Sequence, residues 1–173
     1  MAALPSLSTV LSVCILDNDG QRIWAKYYTD RFPTVAEQRT FEKKLFGKTH
    51  RSANEIILLD RVTVVYRSNI DLHFFVMGAM DENEIMLHGL LSSIYECVSR
   101  LVGRNAVEKK SVLECMDGVQ LIVDESVDGG IILEADPDML MQRLNFRQTE
   151  EVSIGGMTDK TVMNALNKLS MMI

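Results

Sequence analysis

Hydrophobic residues along this chain switch between two spacings, and the switches mark its elements. Val10 to Leu16 is a near-continuous apolar run, and Arg22 to Tyr28 alternates in residue type. Between them stands Asp17-Asn18-Asp19-Gly20, residues that tolerate positive φ, so the two runs read as a β-hairpin. A helix follows. Thr34 and Glu37 have the spacing of a capping box after Pro33, Phe41 and Leu45 share an inner face, and Gly47 is expected just past the end. Glu55–Leu59, Arg61–Arg67 and Leu72–Met77 then read as strands, the last two joined by a tight turn at Ser68-Asn69-Ile70-Asp71.

Beyond Met77 the period lengthens. Asp81 with Glu84 reads as a second capping box, opening a helix to about Val102 with Leu87, Leu91, Ile94, Val98 and Leu101 on its inner stripe. Asn105 with Glu108 predicts a further helix through Val112, Met116, Val119 and Val123, weakened at Gly118 and ended by Gly129-Gly130. Asp136-Pro137 starts a short helix over Asp138–Leu144. Residues 145–173 read as a polar linker and a tail helix with Val162, Leu166 and Leu169 on one side. The order β-β-α-β-β-β-α-α plus a tail places the chain in the α/β (α+β) class. It predicts one domain over residues 8–144: a five-stranded antiparallel sheet with one helix on one face and two on the other.

Composition narrows what such a domain does. At 173 residues and 47% hydrophobic, the chain can bury a core without disulfide or metal. Its net charge of −6, with 18 scattered basic residues against 24 acidic ones, argues against binding nucleic acid or an anionic membrane directly. Cys14, Cys97 and Cys115 stand far apart within apolar runs, the pattern of reduced thiols in a cytoplasmic protein. No Lys or Arg precedes Arg22, and no apolar run approaches the ~20 residues of a membrane span, so neither signal peptide nor anchor is expected.

Fragments of catalytic motifs dissolve in context. Gly47-Lys48-Thr49 resembles the end of a phosphate loop, but position 42 is Glu and a helix precedes it. Asp17, Asp19 and Gly20 hint at a calcium loop, with the glycine placed too early. His50, His73 and His88 lack Cys or acidic neighbours at metal-ligand spacing. No catalytic residue, cofactor or metal is therefore predicted. The acidic run Asp124, Glu125, Asp128, Glu134, Asp136 and Asp138 fits either a docking patch for a basic partner or a solvated loop with charges at a helix start.

One pattern points to binding. Ile85, Met86, Leu90, Tyr95 and Cys97 flank the inner stripe of the helix opened at Asp81, making its apolar arc wider than the ~100° a sheet-packed helix needs. The excess is expected to be open in the isolated chain and covered by a partner or the tail. Trp24, Tyr27 and Tyr28, on an early strand expected at a sheet edge, are candidate interface anchors of the same kind.

The segments ILDNDGQRIWAKYY, FEKKLFGKTHR, EIILLDRVTVVYRSNIDLHFFVMG and VDESVDGGIILEADP resemble the zeta subunits of coatomer, the COPI vesicle coat, from about Ser8 to Arg143. More broadly, the element order is similar to the longin-like fold of the adaptor small chains. The resemblance implies a non-catalytic subunit gripped by the large coatomer gamma subunit. The pair would join beta and delta subunits and be recruited by the small GTPase Arf to Golgi membranes and COPI vesicles. It would support retrograde Golgi-to-ER and intra-Golgi transport. The alternative within the family is a sigma-type small chain of a clathrin adaptor that reads dileucine sorting signals. The regions corresponding to that pocket, VSRLVGRNAV and LECMDGV, depart from the adaptor version, so no pocket residue is carried over.

Overall fold

The structure, a computed structural model, describes residues 9–50, 55–103 and 107–145. The first hairpin forms as its sequence predicts. β1 (Val10–Asp17) and β2 (Arg22–Tyr27) pair antiparallel. Asp17 Oδ1 accepts from the amides of Asp19 and Gln21 at 3.0 and 2.8 Å, and Gly20 takes φ +71°. The ring of Phe46 lies 2.7 Å from where a Gly20 Cβ would stand, so the glycine is fixed by packing as well as by its turn. A bulge between Ile15 and Leu16 sets Trp24 opposite Ile15 but Arg22 opposite Leu16, re-aiming Arg22 to the other face of the sheet.

Helix α1 (Val35–Thr49) opens on the reciprocal capping box of Thr34 and Glu37. It does not stop before Gly47, as expected, but continues to Thr49. The buried Thr49 hydroxyl bonds the Leu45 carbonyl at 3.0 Å, and burying that side chain outweighs the C-cap preference of glycine. β3 (Ile56–Leu59), β4 (Val62–Ser68) and β5 (Leu72–Ala79) complete a five-stranded antiparallel sheet in the order β2-β1-β5-β4-β3.

α2 (Glu84–Leu101) is capped by Asn83, whose side chain accepts from the Ile85 amide at 2.9 Å, rather than by Asp81. The single helix expected next is two. α3 (Lys109–Glu114) and α4 (Met116–Ser126) meet at Cys115, whose φ −114° and ψ 24° break the helical ladder. Glu108 makes no side-chain cap. Both Asp71 carboxylate oxygens, from the β4–β5 turn, accept from the Lys109 amide at 3.0 Å instead. Gly118 is a contact point, not a weakness. A Cβ there would meet Leu101 Cδ2 at 2.7 Å, so the glycine lets α4 approach α2. α4 ends at Ser126, earlier than Gly129-Gly130, because Val127-Asp128 (β6) turns back on Ile131-Ile132 (β7) as a small hairpin. Residues 137–145 (α5) are helical, with Asp136 Oδ1 accepting from the Asp138 and Met139 amides at 2.8 and 3.2 Å. The expected tail helix lies outside the described residues.

Two cores result. Val13, Ile15, Val65, Phe74 and Val76 face α2, α4 and Leu140 of α5, while Cys14, Leu16, Val62, Val64, Phe75 and Met77 face α1. The α1 layer also holds an ion pair. Glu42, 2% exposed, accepts from Arg22 Nε at 2.9 and 3.0 Å and from the Tyr27 hydroxyl at 3.0 Å. Burial and then the neighbouring charges keep the Tyr27 phenol protonated far above its usual range.

A second polar group is buried beside the hairpin. His73, 5% exposed, sits between the Ser68 hydroxyl at 2.8 Å and Asn18 Oδ1 at 3.0 Å. Desolvation, and then His50, hold its pKa below the ordinary 6.5, with Asp17 opposing. The fold therefore favours neutral His73, and the unfolded chain takes the proton more readily. Stability should hold above pH 6.5 and fall as pH drops through and below it. Urea unfolding from pH 7.5 to 5.5 checks this: the midpoint declines, and His73→Gln flattens the decline.

Candidate docking surface

The flanks of α2 decide which apolar side chains stay open. After β7 the chain runs beside one flank. The Ser93 hydroxyl donates to the Ala135 carbonyl, Cys97 Sγ lies 3.6 Å from the Pro137 carbonyl, and Arg100 pairs with Asp138. The strap lies against Cys97, and Leu90 and Cys97 are both fully buried, so the arc expected to stand open is narrower than its sequence suggests. Burial first pushes the Cys97 thiol up to about 11, which leaves little thiolate at neutral pH. On the other flank, the half-buried Tyr95 meets Phe74 edge-on at 5.3 Å and carries the Arg67 guanidinium 3.9 Å above its ring.

The aromatic residues of β2, and Tyr28 just after it, are likewise held within the chain. Trp24 packs on the α2–α4 core, Tyr27 meets Phe32 edge-on at 5.9 Å, and the Tyr28 hydroxyl reaches the Val127 carbonyl at 3.5 Å. Lys26 pairs with Asp124 of α4 at 2.7 Å and lies 5.4 Å over Tyr28. All three aromatics are half-buried.

Ile85 and Met86 remain open, Ile85 at 80% exposure. Met86 stands two turns before Ser93 on the same flank, so it continues the line of the strap. Ile131, Leu133 and Met139 on that strap are exposed too. The result is an apolar strip along the outer side of α2, in a chain whose neighbouring acidic groups are already engaged. Arg143 lies 3.6 Å from Glu125 and 3.5 Å from Glu134, while Asp136 caps α5. The acidic run thus serves the fold at most of its positions. Sequence reading missed Ile131, Leu133 and Met139 because their apolar spacing matches core strand and helix positions. The sequence signal there is Gly129-Gly130, which turns β6 back on β7.

No converging reactive set accompanies the strip. Among the described residues, no group of three or more His, Cys, Asp or Glu could hold a metal ion. A cleft of about 270 Å³ between α1 and the β3–β4 turn is lined by Arg31, Phe32, Glu37, Phe41, Lys44 and Asp60. Its polar groups are committed to one another: Glu37 to the cap, Arg31 to the turn carbonyls, Lys44 to Asp60. No described helix is long and apolar enough to cross a membrane.

The family model of the clathrin adaptor complex small chain matches residues 9–151. The chain belongs to the adaptor small-chain family. Within it, the chain is 49% identical over 162 residues to human coatomer subunit zeta-1, covering 94% of this chain and 89% of that one. It is 39% identical over 165 residues to coatomer subunit zeta-2 of Arabidopsis thaliana, covering 93% and 90%. A chain in a homology model of the full-length AP-3 complex in a stretched open conformation shares the fold, with a TM-score of 0.60 at 14% identity. The match covers 85% of this chain and 98% of that one. The five-stranded sheet with helices on both faces is thus the small-chain architecture, and coatomer zeta subunits match the chain over nearly its whole length.

If the strip is a surface and the strap a lid on the core, truncations should separate them. Leu90→Ala should cost about 2–5 kcal/mol, and Leu133→Ala less than about 0.5 kcal/mol, by chemical denaturation.

Proposed function

We propose that the chain is a small, non-catalytic subunit of a COPI-type vesicle coat, held by a large helical-solenoid subunit of the coatomer gamma kind. The observation that carries this reading is the 49% identity to a coatomer zeta subunit across 94% of the chain. The open strip of Ile85, Met86, Ile131, Leu133 and Met139 supports it physically, because a solenoid subunit needs apolar surface to grip. Half-buried Trp24, Tyr27 and Tyr28 are second candidates, reachable at the rim of the sheet.

In this reading the gamma-bound pair joins beta and delta subunits. Arf acts on the assembled coat and not on this chain. The protein is cytoplasmic, and reaches Golgi membranes and COPI vesicles only through the complex, since its net charge of −6 gives it no attraction of its own to anionic lipid. Coat assembly there serves Golgi-to-ER and intra-Golgi transport. A sigma-type chain of a clathrin adaptor is the second reading, favoured by the family match alone.

Co-expression with a coatomer gamma chain, followed by amide hydrogen exchange, tests the assignment. Exchange should slow at the N-terminal half of α2 and along residues 131–139, and Met86→Asp with Leu133→Asp should lower recovery of the complex. Unchanged exchange on both segments would count against this surface. Binding of a dileucine peptide in place of the gamma chain would favour the adaptor reading.

A further inference from the structure

At the edge of the sheet opposite β2, β3 is paired on one side only among the described residues. Its register sets Ile57 opposite Val64 and Leu59 opposite Val62, and the Tyr66 amide donates to the Glu55 carbonyl at 2.9 Å. In an antiparallel pair hydrogen-bonded positions alternate, so Glu55, Ile57 and Leu59 turn their backbone groups to β4. The N–H and C=O of Ile56 and Leu58 therefore point outward. The usual guards of an open edge are proline, lysine or a bulge, and the sequence IILL has none of them.

The same two residues carry open side chains. Ile56 is 43% and Leu58 58% exposed, and both lie on the α2 face beside Val65 and Thr63. The Thr63 hydroxyl donates to the Met80 carbonyl at 3.3 Å, which brings exposed Met80 to Thr63, the residue opposite Leu58. His88 of α2 reaches over the edge to Glu55 at 3.6 Å, and Ile85 stands one turn before it. An unpaired backbone edge and an apolar corner thus coincide, and the corner shares Ile85 with the strip on the outer side of α2.

The edge is also held still. Asp60 and Arg61, the two turn residues between β3 and β4, both take left-handed backbone, at φ 50° and 61°. Arg31 donates to the carbonyls of both, and Lys44 pairs with the Asp60 carboxylate at 3.4 Å. Two cations are thereby spent inside the turn. Glu55, Asp81 and Glu84 stand exposed around the corner in a chain of net charge −6.

We propose that β3 accepts an extended segment of a partner protein as a sixth strand, the segment having apolar residues at alternate positions and Lys or Arg at its ends. Main-chain bonds to Ile56 and Leu58 supply the pairing, the Ile56–Leu58–Met80–Ile85 corner takes one face of side chains, and the acidic rim selects basic flanks. A second copy of this chain is the poorer occupant. It would bring two acidic rims together, and a four-residue edge falls far short of the ~1,200 Å² of a stable dimer. The proposal does not depend on which coat the chain serves.

A fluorescent heptapeptide, Lys-Val-Thr-Val-Thr-Val-Lys, titrated into the full chain tests it by anisotropy and amide exchange. Saturable binding with new protection of the Ile56 and Leu58 amides is expected. Leu58→Pro removes an amide that makes no ladder bond, and should weaken binding at least about tenfold without moving the unfolding midpoint. Leu58→Lys keeps every backbone group and should weaken it similarly, so the conclusion survives if the proline variant misfolds. A peptide with Glu at both ends should bind more weakly. Equal binding by a peptide N-methylated at alternate amides, protection elsewhere, or concentration-dependent protection without peptide would each overturn the proposal, the last in favour of self-pairing.

Discussion

Everything in this molecule hangs on a sheet covered on both faces. β5 lies at its centre and is buried from Leu72 to Gly78, with neighbouring side chains going to opposite cores. A strand in that position makes both helix layers obligatory, since leaving either face open would expose a row of large apolar side chains. α1 covers one side, α2 and α4 the other, and the strap of residues 131–140 closes the remaining gap along α2. Once those layers are filled, apolar residues left outside have no place within the chain. Among the described residues most of them lie on the outer side of α2, on the strap and at the β3 edge, with Val35, Ile70 and Leu113 exposed elsewhere.

Much of this was legible in the residues because local chemistry and burial agree there. The Asp17–Gly20 turn, the Thr34–Glu37 cap and the α2 stripe each depend on neighbours within a few positions, and each forms as read. What sequence could not reach were effects decided by distant partners. Asp71 supplies the cap of α3 from another element, Gly118 exists for Leu101, and Thr49 extends α1 past a glycine because its side chain is buried. The candidate surface failed in the same way. A wide helical arc says that apolar residues exceed one face, but not that Ala135 and Pro137 will cross beside Ser93 and Cys97. Ile85 and Met86 stay exposed among the described residues, and their part in docking is a proposal.

The polar groups of the interior fit a scaffold. Glu42 with Arg22, His73 with Asn18, and Asp17 with Lys109 each tie elements far apart in sequence, and each has its partners within hydrogen-bond distance. Burial raises the Asp17 carboxyl, but Lys109 and then the Gln21 and Asp19 amides draw it down further, so it is ionised and holds α3 to the hairpin. These groups are spent on rigidity. A small chain built this way presents a fixed surface, which we propose a larger subunit grips.

Titration calorimetry of the full chain against a recombinant coatomer gamma chain, repeated at several temperatures, tests that claim most directly. Burial of the strip predicts a one-to-one complex with a clearly negative heat-capacity change, lost when Ile85 and Met86 are replaced by Asp. A folded chain that gives no heat and forms no complex, or a complex indifferent to those two replacements, would contradict it.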